Sequence, residues 1–281
     1  MKRRTILYVI TPETPDDQIS QAAEAAATTD AHLMCLMLGA APMLPMYAYG
    51  VPPYGGMNIP DNWTETVADA QVAQTNRVQA VEKLLAASNV SGDVQSTMCA
   101  TLDVKHVVAQ YARVSDEAFF APSLREMPDF LREAASGILF HSPIAFRMNG
   151  AAAEKVDRVM IAWDSSSAAA SAVHAALPYL KEASEVVIAC IDPVAMTDRD
   201  GPEPGADVAA WLSHHGCHVT VSQFPSGGRD VGQCILDRAQ ENGSGLVVMG
   251  AYGHARMIQT VLGGTTRTMM DQKEQPVLFA H

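Results

Sequence analysis

The sequence predicts an α/β protein of two tandem doubly wound domains, each a mainly parallel five-stranded sheet with helices on both faces. Three observations predict it. Short apolar runs alternate with helical patterns, this order occurs twice along the chain, and 281 residues suffice for two domains of roughly 140 residues. With 48% hydrophobic and 18% charged residues, the composition is that of a globular protein able to bury a core in each half.

The second half shows the alternation most regularly. Its apolar runs fall at 158–163, 185–192, 218–223, 245–250 and 276–280, and helical patterns lie between them at 168–180, 205–215, 230–242 and 266–273. Short continuous apolar runs separated by helices predict βαβ units, in which a parallel sheet is covered on both faces. Ligands of such sheets bind at the carboxyl ends of the strands.

The first half begins on the same plan. The apolar run at 4–10 leads into an alanine-rich helical pattern at 16–29 and a further apolar run at 31–38. A loop rich in Pro, Met, Tyr and Gly follows at 39–63, and then a long helix at 64–88. The loop is either a lid or partner surface or a variable crossover connection.

The ends of the two halves also look alike. Residues 137–141 (GILFH) resemble 276–281 (PVLFAH), so we predict that Gly137–His141 is the last strand of the first half. Residues 144–156 then form a linker. The predicted domains are 1–145, a degenerate copy without a ligand motif, and 155–281, which carries the motif.

Charge and cysteine content exclude several classes of protein. A formal net charge of −12 repels a phosphodiester backbone, so we expect no nucleic-acid partner. No run of eighteen apolar residues is present, and the basic start at 2–4 leads into a short apolar run that we interpret as a buried strand, so no membrane association is expected. Five scattered cysteines without a C-x-x-C pair indicate free thiols in a reducing cytoplasm.

The residues that carry chemistry follow the fourth apolar run of the second half. Gly250 and Gly253 come at its end, and Gly263, Gly264, Thr265 and Thr266 stand at the start of the next predicted helix. Glycines let a backbone approach an anion closely, and free N–H groups at a helix start, with its dipole, favour negative charge. Threonine hydroxyls add donors. The spacing therefore favours a phosphate site, although each glycine alone could simply form a turn.

This arrangement resembles the nucleotide-binding pattern of the universal stress protein family, Gly-x2-Gly-x9-Gly followed by Ser or Thr. The pattern here is Gly250, Gly253 and Gly263, with Gly264 in the place of the hydroxyl residue and Thr265 and Thr266 after it. The resemblance implies an adenine nucleotide, ATP with Mg²⁺, held by the C-terminal domain of a regulatory or stress-response module. It also implies that the domains pair through their last strands, Gly137–His141 and Gln275–Ala280, and a homodimer can follow.

The resemblance assigns further residues to this site. Ala162 lies near the end of the first strand of the domain and Asp164 directly follows that strand, where an Asp contacts the nucleoside, although Asp164 could instead cap the next helix. Because Ser165–Ser167 can serve as caps, we expect Asp164 to be free for a ligand. Backbone groups at Cys190, or at its two neighbours, read the adenine edge, and Met249 packs near the base or ribose.

The first half lacks this motif. Thr11-Pro12 follows its first strand, without an Asp, and no glycines follow its fourth strand at 118–121. The interval from Ala121 to Gly137 is 16 residues, against 26 from Gly250 to Pro276, as if a phosphate loop of about ten residues were missing. We therefore predict that no nucleotide binds in the first half.

Other functions are weaker but stay open. The sequence holds no P-loop, dinucleotide fingerprint or nucleophile elbow. No catalytic set is identifiable, yet Asp164 and His254 could approach phosphates, so slow ATP hydrolysis is one alternative. A nucleotide-free interaction module is the other. His254, Arg256 and Arg267 either reach a phosphate or solvate the surface, and the His214–His218 cluster is either a solvated helix end or a metal site.

Overall fold

The computed structural model describes residues 3–44, 59–150, 156–196, 200–252 and 264–281. The strands are β1 (Thr5–Ile10), β2 (His32–Ala40), β3 (Ser91–Cys99), β4 (Glu117–Phe120), β5 (Phe146–Met148), β6 (Arg158–Ala162), β7 (Glu185–Ile191), β8 (Val219–Phe224), β9 (Leu246–Gly250) and β10 (Val277–Ala280). The helices are α1 (Asp16–Thr28), α2 (Trp63–Ala87), α3 (Val104–Ala112), α4 (Pro128–His141), α5 (Ser167–Glu182), α6 (Ala206–His214), α7 (Val231–Glu241) and α8 (Gly264–Asp271). Short 3₁₀ turns cover Thr101–Asp103 and Pro122–Glu126.

One sheet of ten strands runs through the described chain. Its order is β3-β2-β1-β4-β5-β10-β9-β6-β7-β8, so both halves have the same internal strand order. The described strands pair in parallel, apart from β5 and β10, which are antiparallel where the halves meet. The predicted fold class is confirmed: two doubly wound halves, each with five strands.

Burial explains why the central strands read as continuous apolar runs. β1, β6 and β9 are almost wholly buried, because helices cover both faces of the sheet. On one face a single apolar cluster extends across both halves, and the other face divides into one cluster for each half. The strand and helix segments predicted for the second half are confirmed, to within two or three residues at their ends.

Two predictions for the end of the first half are wrong. Residues 137–141 are the last turns of α4 and not a strand. The helix forms because its buried residues follow helical spacing, and because Gly137 packs against α3, where a Cβ atom would come within 2.4 Å of the Lys105 carbonyl oxygen. The last strand is instead β5, inside the predicted linker 144–156 and between the predicted domain ranges 1–145 and 155–281.

Buried charges lie where the halves meet. Arg147 on β5 is fully buried, and its guanidinium carbon lies 4.9 Å from the ring centre of Tyr179 and 5.4 Å from that of Phe119. No hydrogen-bond partner for its three guanidinium nitrogens exists among the described residues. Glu117 accepts hydrogen bonds from Arg4, at 2.9 Å, and from Tyr179 on α5. This cluster joins the first half to α5 of the second.

Candidate functional site

The carboxyl ends of β6 and β9 lie side by side, with Ala162 paired to Met249. The chain leaves β6 for α5 and leaves β9 for α8, and these helices contribute to clusters on opposite faces of the sheet. Neighbouring parallel strands whose connections depart to opposite faces form a crevice, which is the usual ligand position in open α/β sheets.

Gly250 closes one wall of this crevice. A Cβ atom on Gly250 would lie 2.4 Å from the backbone nitrogen of Ala169 and 2.6 Å from the carbonyl carbon of Ala168. The first turn of α5 therefore rests directly on the end of β9, and only glycine fits there. This contact brings the N-terminal end of a sixteen-residue helix, with its positive dipole, to the crevice.

Asp164 lies at the same edge, but its carboxylate is not free as the sequence suggested. Its Oδ1 accepts hydrogen bonds from the backbone N–H of Ser166 at 3.1 Å and from the Ser166 hydroxyl at 2.6 Å. Ser166 is the N-cap of α5, and its Oγ accepts from the N–H of Ala169 at 3.1 Å. A serine caps the helix, as expected, and that serine orients Asp164.

The side chains of Cys190 and Met249 point to opposite faces of the sheet. Cys190 is buried on the α5–α6 face, where a Cβ on Gly205 would lie 3.2 Å from its Sγ. Burial is the largest cause that raises the pKa of this thiol to about 11, followed by the carboxylates of Asp200, Asp207 and Asp164. Met249 is buried on the α7–α8 face. A ligand at this edge of the sheet could reach Cys190 only through its backbone.

The start of α8 borders the crevice on its other side. Gly264 is exposed, Thr265 is half-buried and Thr266 is buried. The Thr266 hydroxyl oxygen accepts a hydrogen bond from the backbone N–H of Tyr252 at 3.3 Å, and Tyr252 has a φ of +64°. Thr266 thus fixes the turn that follows β9.

Four residues singled out in the sequence lie outside the described residues. These are Gly253, His254, Arg256 and Gly263. Arg267 is described, and its side chain lies 3.5 Å from that of Asp271 on the same helix.

Solved structures of other proteins have a similar fold. A universal stress protein from Archaeoglobus fulgidus matches 98% of this chain and 95% of its own length, with a TM-score of 0.65 and 15% identity. A universal stress protein candidate from Pseudomonas aeruginosa matches 99% and 93%, with a TM-score of 0.56 and 16% identity. A protein of unknown function from the same species gives 99%, 92%, 0.54 and 16%. The chain has the universal stress protein fold. No family model and no curated protein sequence matches the chain.

Corresponding positions in the two halves of this universal stress protein fold follow from matching hydrogen bonds. The N–H of Asp116 donates to the carbonyl of Thr5 at 2.8 Å. The N–H of Gly245 donates to the carbonyl of Arg158 at 2.9 Å in the same way. Counted from these bonds, Ala121 corresponds to Gly250, and Thr11 corresponds to Asp164.

The predicted ten-residue deletion in the first half is wrong. From the end of β4 at Phe120 to the start of β5 at Phe146 is 26 positions, and from Gly250 to Val277 is 27. The comparison made from the sequence used residues 137–141 as the last strand, and these belong to α4. The two connections have nearly equal length but different local structure, because a 3₁₀ turn at Pro122–Glu126 follows β4.

A buried hydroxyl network stands where the first half would hold a ligand. The N–H of Thr11 donates to the Thr14 hydroxyl at 2.9 Å, and that hydroxyl lies 2.9 Å from the hydroxyl of Ser123. Thr11 and Thr14 are buried, so these groups satisfy each other and fill the position. The residues that directly follow β1 and β4, at 11–15 and 121–127, include neither an Asp nor a glycine.

Sequence reasoning missed one charged residue of the second-half site. Asp230 caps α7 by accepting from the N–H of Gln233 at 2.9 Å, and its Oδ2 would lie 3.8 Å from a Cβ on Gly264. A carboxylate therefore stands beside the first turn of α8. The sequence signal was an Asp directly before a helical pattern, which predicts a cap but not its neighbour.

Two surveys of the described residues bear on other functions. No helix among them is long and apolar enough to cross a bilayer. Within the same ranges, no group of three or more His, Cys, Asp or Glu side chains is placed to hold a metal ion, and the ring of His215 packs 4.4 Å from that of Trp211.

Proposed function

We propose that the C-terminal half binds an adenine nucleotide, ATP with Mg²⁺, at the carboxyl ends of β6 and β9, and that this binding makes the chain a regulatory module of the stress response. The observation that carries the proposal is the seating of α5 on Gly250, 2.4 Å from where a Cβ would be. This close approach places the start of α5 at one wall of the crevice, and the start of α8 borders the other side. A crevice between two helix starts favours a phosphorylated ligand.

The phosphates are proposed to face the first turn of α8. Gly264 is exposed there and carries no side chain to obstruct an anion, and Thr265 beside it adds a hydroxyl. The carboxylate of Asp230 opposes a negative ligand at this place. A divalent cation bound to the phosphates would offset that repulsion, which favours the magnesium complex over free ATP.

The nucleoside is proposed to lie nearer β6 and β7. Ser166 holds the carboxylate of Asp164 at 2.6 Å and so fixes its direction at the rim of the crevice. A pre-oriented carboxylate can accept hydrogen bonds from ribose hydroxyls without further ordering. Near Cys190 the base edge is proposed to face the backbone, since the Cys190 side chain is buried beneath Gly205.

The first half is proposed to bind no nucleotide and to act as a fixed partner. The hydroxyls of Thr11, Thr14 and Ser123 already bond to one another in the corresponding position. The five cysteines are free and buried, which fits a reducing compartment such as the cytoplasm. Homodimer formation stays a prediction.

The test is thermal unfolding and calorimetric titration of the full chain with Mg-ATP. A ligand at about 100 times its Kd stabilises the folded state by roughly 2.7 kcal/mol. We expect this stabilisation in the wild type and a loss of it in Gly263→Val and Asp164→Ala. Asp157→Ala is the matched control, because Asp157 directly precedes the amino end of β6, whereas the proposed site lies at the carboxyl end of that strand. Its response should equal that of the wild type.

Two outcomes separate the alternatives. Unchanged unfolding at millimolar nucleotide would refute the proposal and favour a nucleotide-free interaction module. Release of ADP from bound ATP, slower in Gly263→Val, would instead make the domain a slow hydrolase.

A further inference from the structure

A cavity of about 480 Å³ lies in the first half, and the proposed nucleotide site makes no use of it. It extends from the space between α1 and the sheet to the carboxyl ends of β4 and β5. Its volume falls within the range of small-molecule sites, roughly 300–1,000 Å³. It is separate from the hydroxyl network of Thr11, which does not line it.

The cavity exists because α1 and α5 are seated differently. In the second half α5 packs over β9 and β10. In the first half α1 packs mainly against β2 and α2. Ala121 stands where Gly250 admits α5, and a Cβ at the Gly250 position would clash with the helix that packs there. A gap lies between α1 and the sheet beside β4.

The deep wall of the cavity is apolar. Ile6, Leu33 and Phe119 line it, and each is at most 4% exposed. The half-buried side of Ala22 on α1 forms the opposite wall. Such a wall offers a ligand few hydrogen bonds, so an apolar body is favoured against it.

The mouth is polar and carries charges of both signs. Arg125, Lys273 and Glu126 line it, and the carboxylate of Asp271 lies close enough to interact with Arg125. The guanidinium of Arg125 is fixed by bonds of 2.8 Å each to the carbonyls of Met270 and Gln272. Lys273 is exposed and is not engaged by another described residue. The ammonium group of Lys273 is therefore available to a ligand at the mouth of an apolar cavity, although the net charge of the chain is −12.

We propose that this cavity is a binding site for a small amphipathic monocarboxylate. Its aliphatic or aromatic body fills the space between α1 and Phe119, and its carboxylate lies at the mouth beside Lys273 and Arg125. The two cations are partly offset by the carboxylates of Glu126 and Asp271, which suits one carboxylate better than a phosphate of charge −2. The amides of Gln18 and Asn149 border the same opening.

Octanoate is the first probe, with 1-octanol as its uncharged counterpart. We expect octanoate to bind the full-length wild type with one-to-one stoichiometry in calorimetry. Ala22→Leu fills the cavity and should weaken octanoate binding at least tenfold. Ala27→Leu, on the exposed face of the same helix, is the matched control and should bind as the wild type does. Near-UV circular dichroism checks that both variants keep native packing.

The head group is tested separately at the surface. Lys273→Gln should weaken octanoate about fivefold and leave octanol unchanged, while Lys83→Gln on α2, away from the cavity, should alter neither. Absence of octanoate binding to the wild type would overturn the proposal, and so would equal binding by Ala22→Leu. An unchanged octanoate affinity in Lys273→Gln would refute the role of the carboxylate.

Discussion

Gly250→Ala is the most direct test of how the second-half crevice is built. The new methyl would begin 2.4 Å from the nitrogen of Ala169, whereas ordinary van der Waals contact begins at about 3.4 Å. The neighbouring atom is backbone held in the capped first turn of α5, so it cannot rotate away as a side chain could. Either α5 or β9 must shift by about 1 Å.

Overpacking of this kind costs about 1–3 kcal/mol, and the loss of glycine flexibility in the unfolded chain returns up to about 1 kcal/mol. We expect a net loss of about 1–2 kcal/mol in the free energy of unfolding, measured by urea denaturation. Gly245→Ala, just before the same strand, is the matched control. Its Cβ would meet a flexible Val156 methyl at 3.2 Å, and we expect a change below about 0.5 kcal/mol.

Hydrogen exchange at the N–H of Ala169 reports on the same contact. It should speed up in Gly250→Ala and stay unchanged in Gly245→Ala. If Gly250→Ala were as stable as the wild type, with the same exchange at Ala169, the close seating of α5 would not be required and the argument for the crevice would fail.

Two further predictions concern charge. Asp230→Asn keeps a good N-cap for α7 but removes the carboxylate beside α8, so it should tighten the binding of ATP without Mg²⁺ roughly threefold to tenfold by calorimetry; an unchanged or weaker affinity would contradict the proposed phosphate position. Burial, and secondly the carboxylate of Glu117, raise the pKa of Tyr179 to about 12, above its ordinary value near 10. The unfolded state therefore loses this proton first, so the stability that depends on neutral Tyr179 is complete below pH 10 and is lost between about pH 10 and 12. Tyr179→Phe should show a shallower alkaline fall of unfolding free energy than the wild type, and equal slopes would refute the assignment.

Part of the candidate site could be predicted from the local sequence. The glycines around Gly250 and the serine that caps α5 were predicted from residue type and spacing, because turns and caps depend on a few adjacent residues. The bond from Ser166 to Asp164 was not anticipated, since either serine or aspartate could cap the helix and only the folded turn selects. Asp230 was missed because its neighbour Gly264 is remote in sequence.

The structure at the end of the first half could not be predicted from the local sequence. β5 has only three residues, too few for a periodic pattern, and it is a strand because β4 and β10 bond to it on both sides. Residues 137–141 are apolar and compatible with either structure, and their packing on α3 decides for helix. Both outcomes depend on contacts between segments distant along the chain.

By itself the sequence determined the alternation of strands and helices, the repetition of the plan, and the glycine pattern after β9. These follow from the periodicity of apolar residues and from backbone freedom, which act over a few residues. The tertiary structure alone decided that β5, and not residues 137–141, pairs with β10 where the halves join, that Thr11 and its hydroxyl partners fill the first-half position, and that a cavity remains beneath α1. The physical reason is that strand pairing, close packing and unfilled space are set by which surfaces meet, and the local sequence does not specify that.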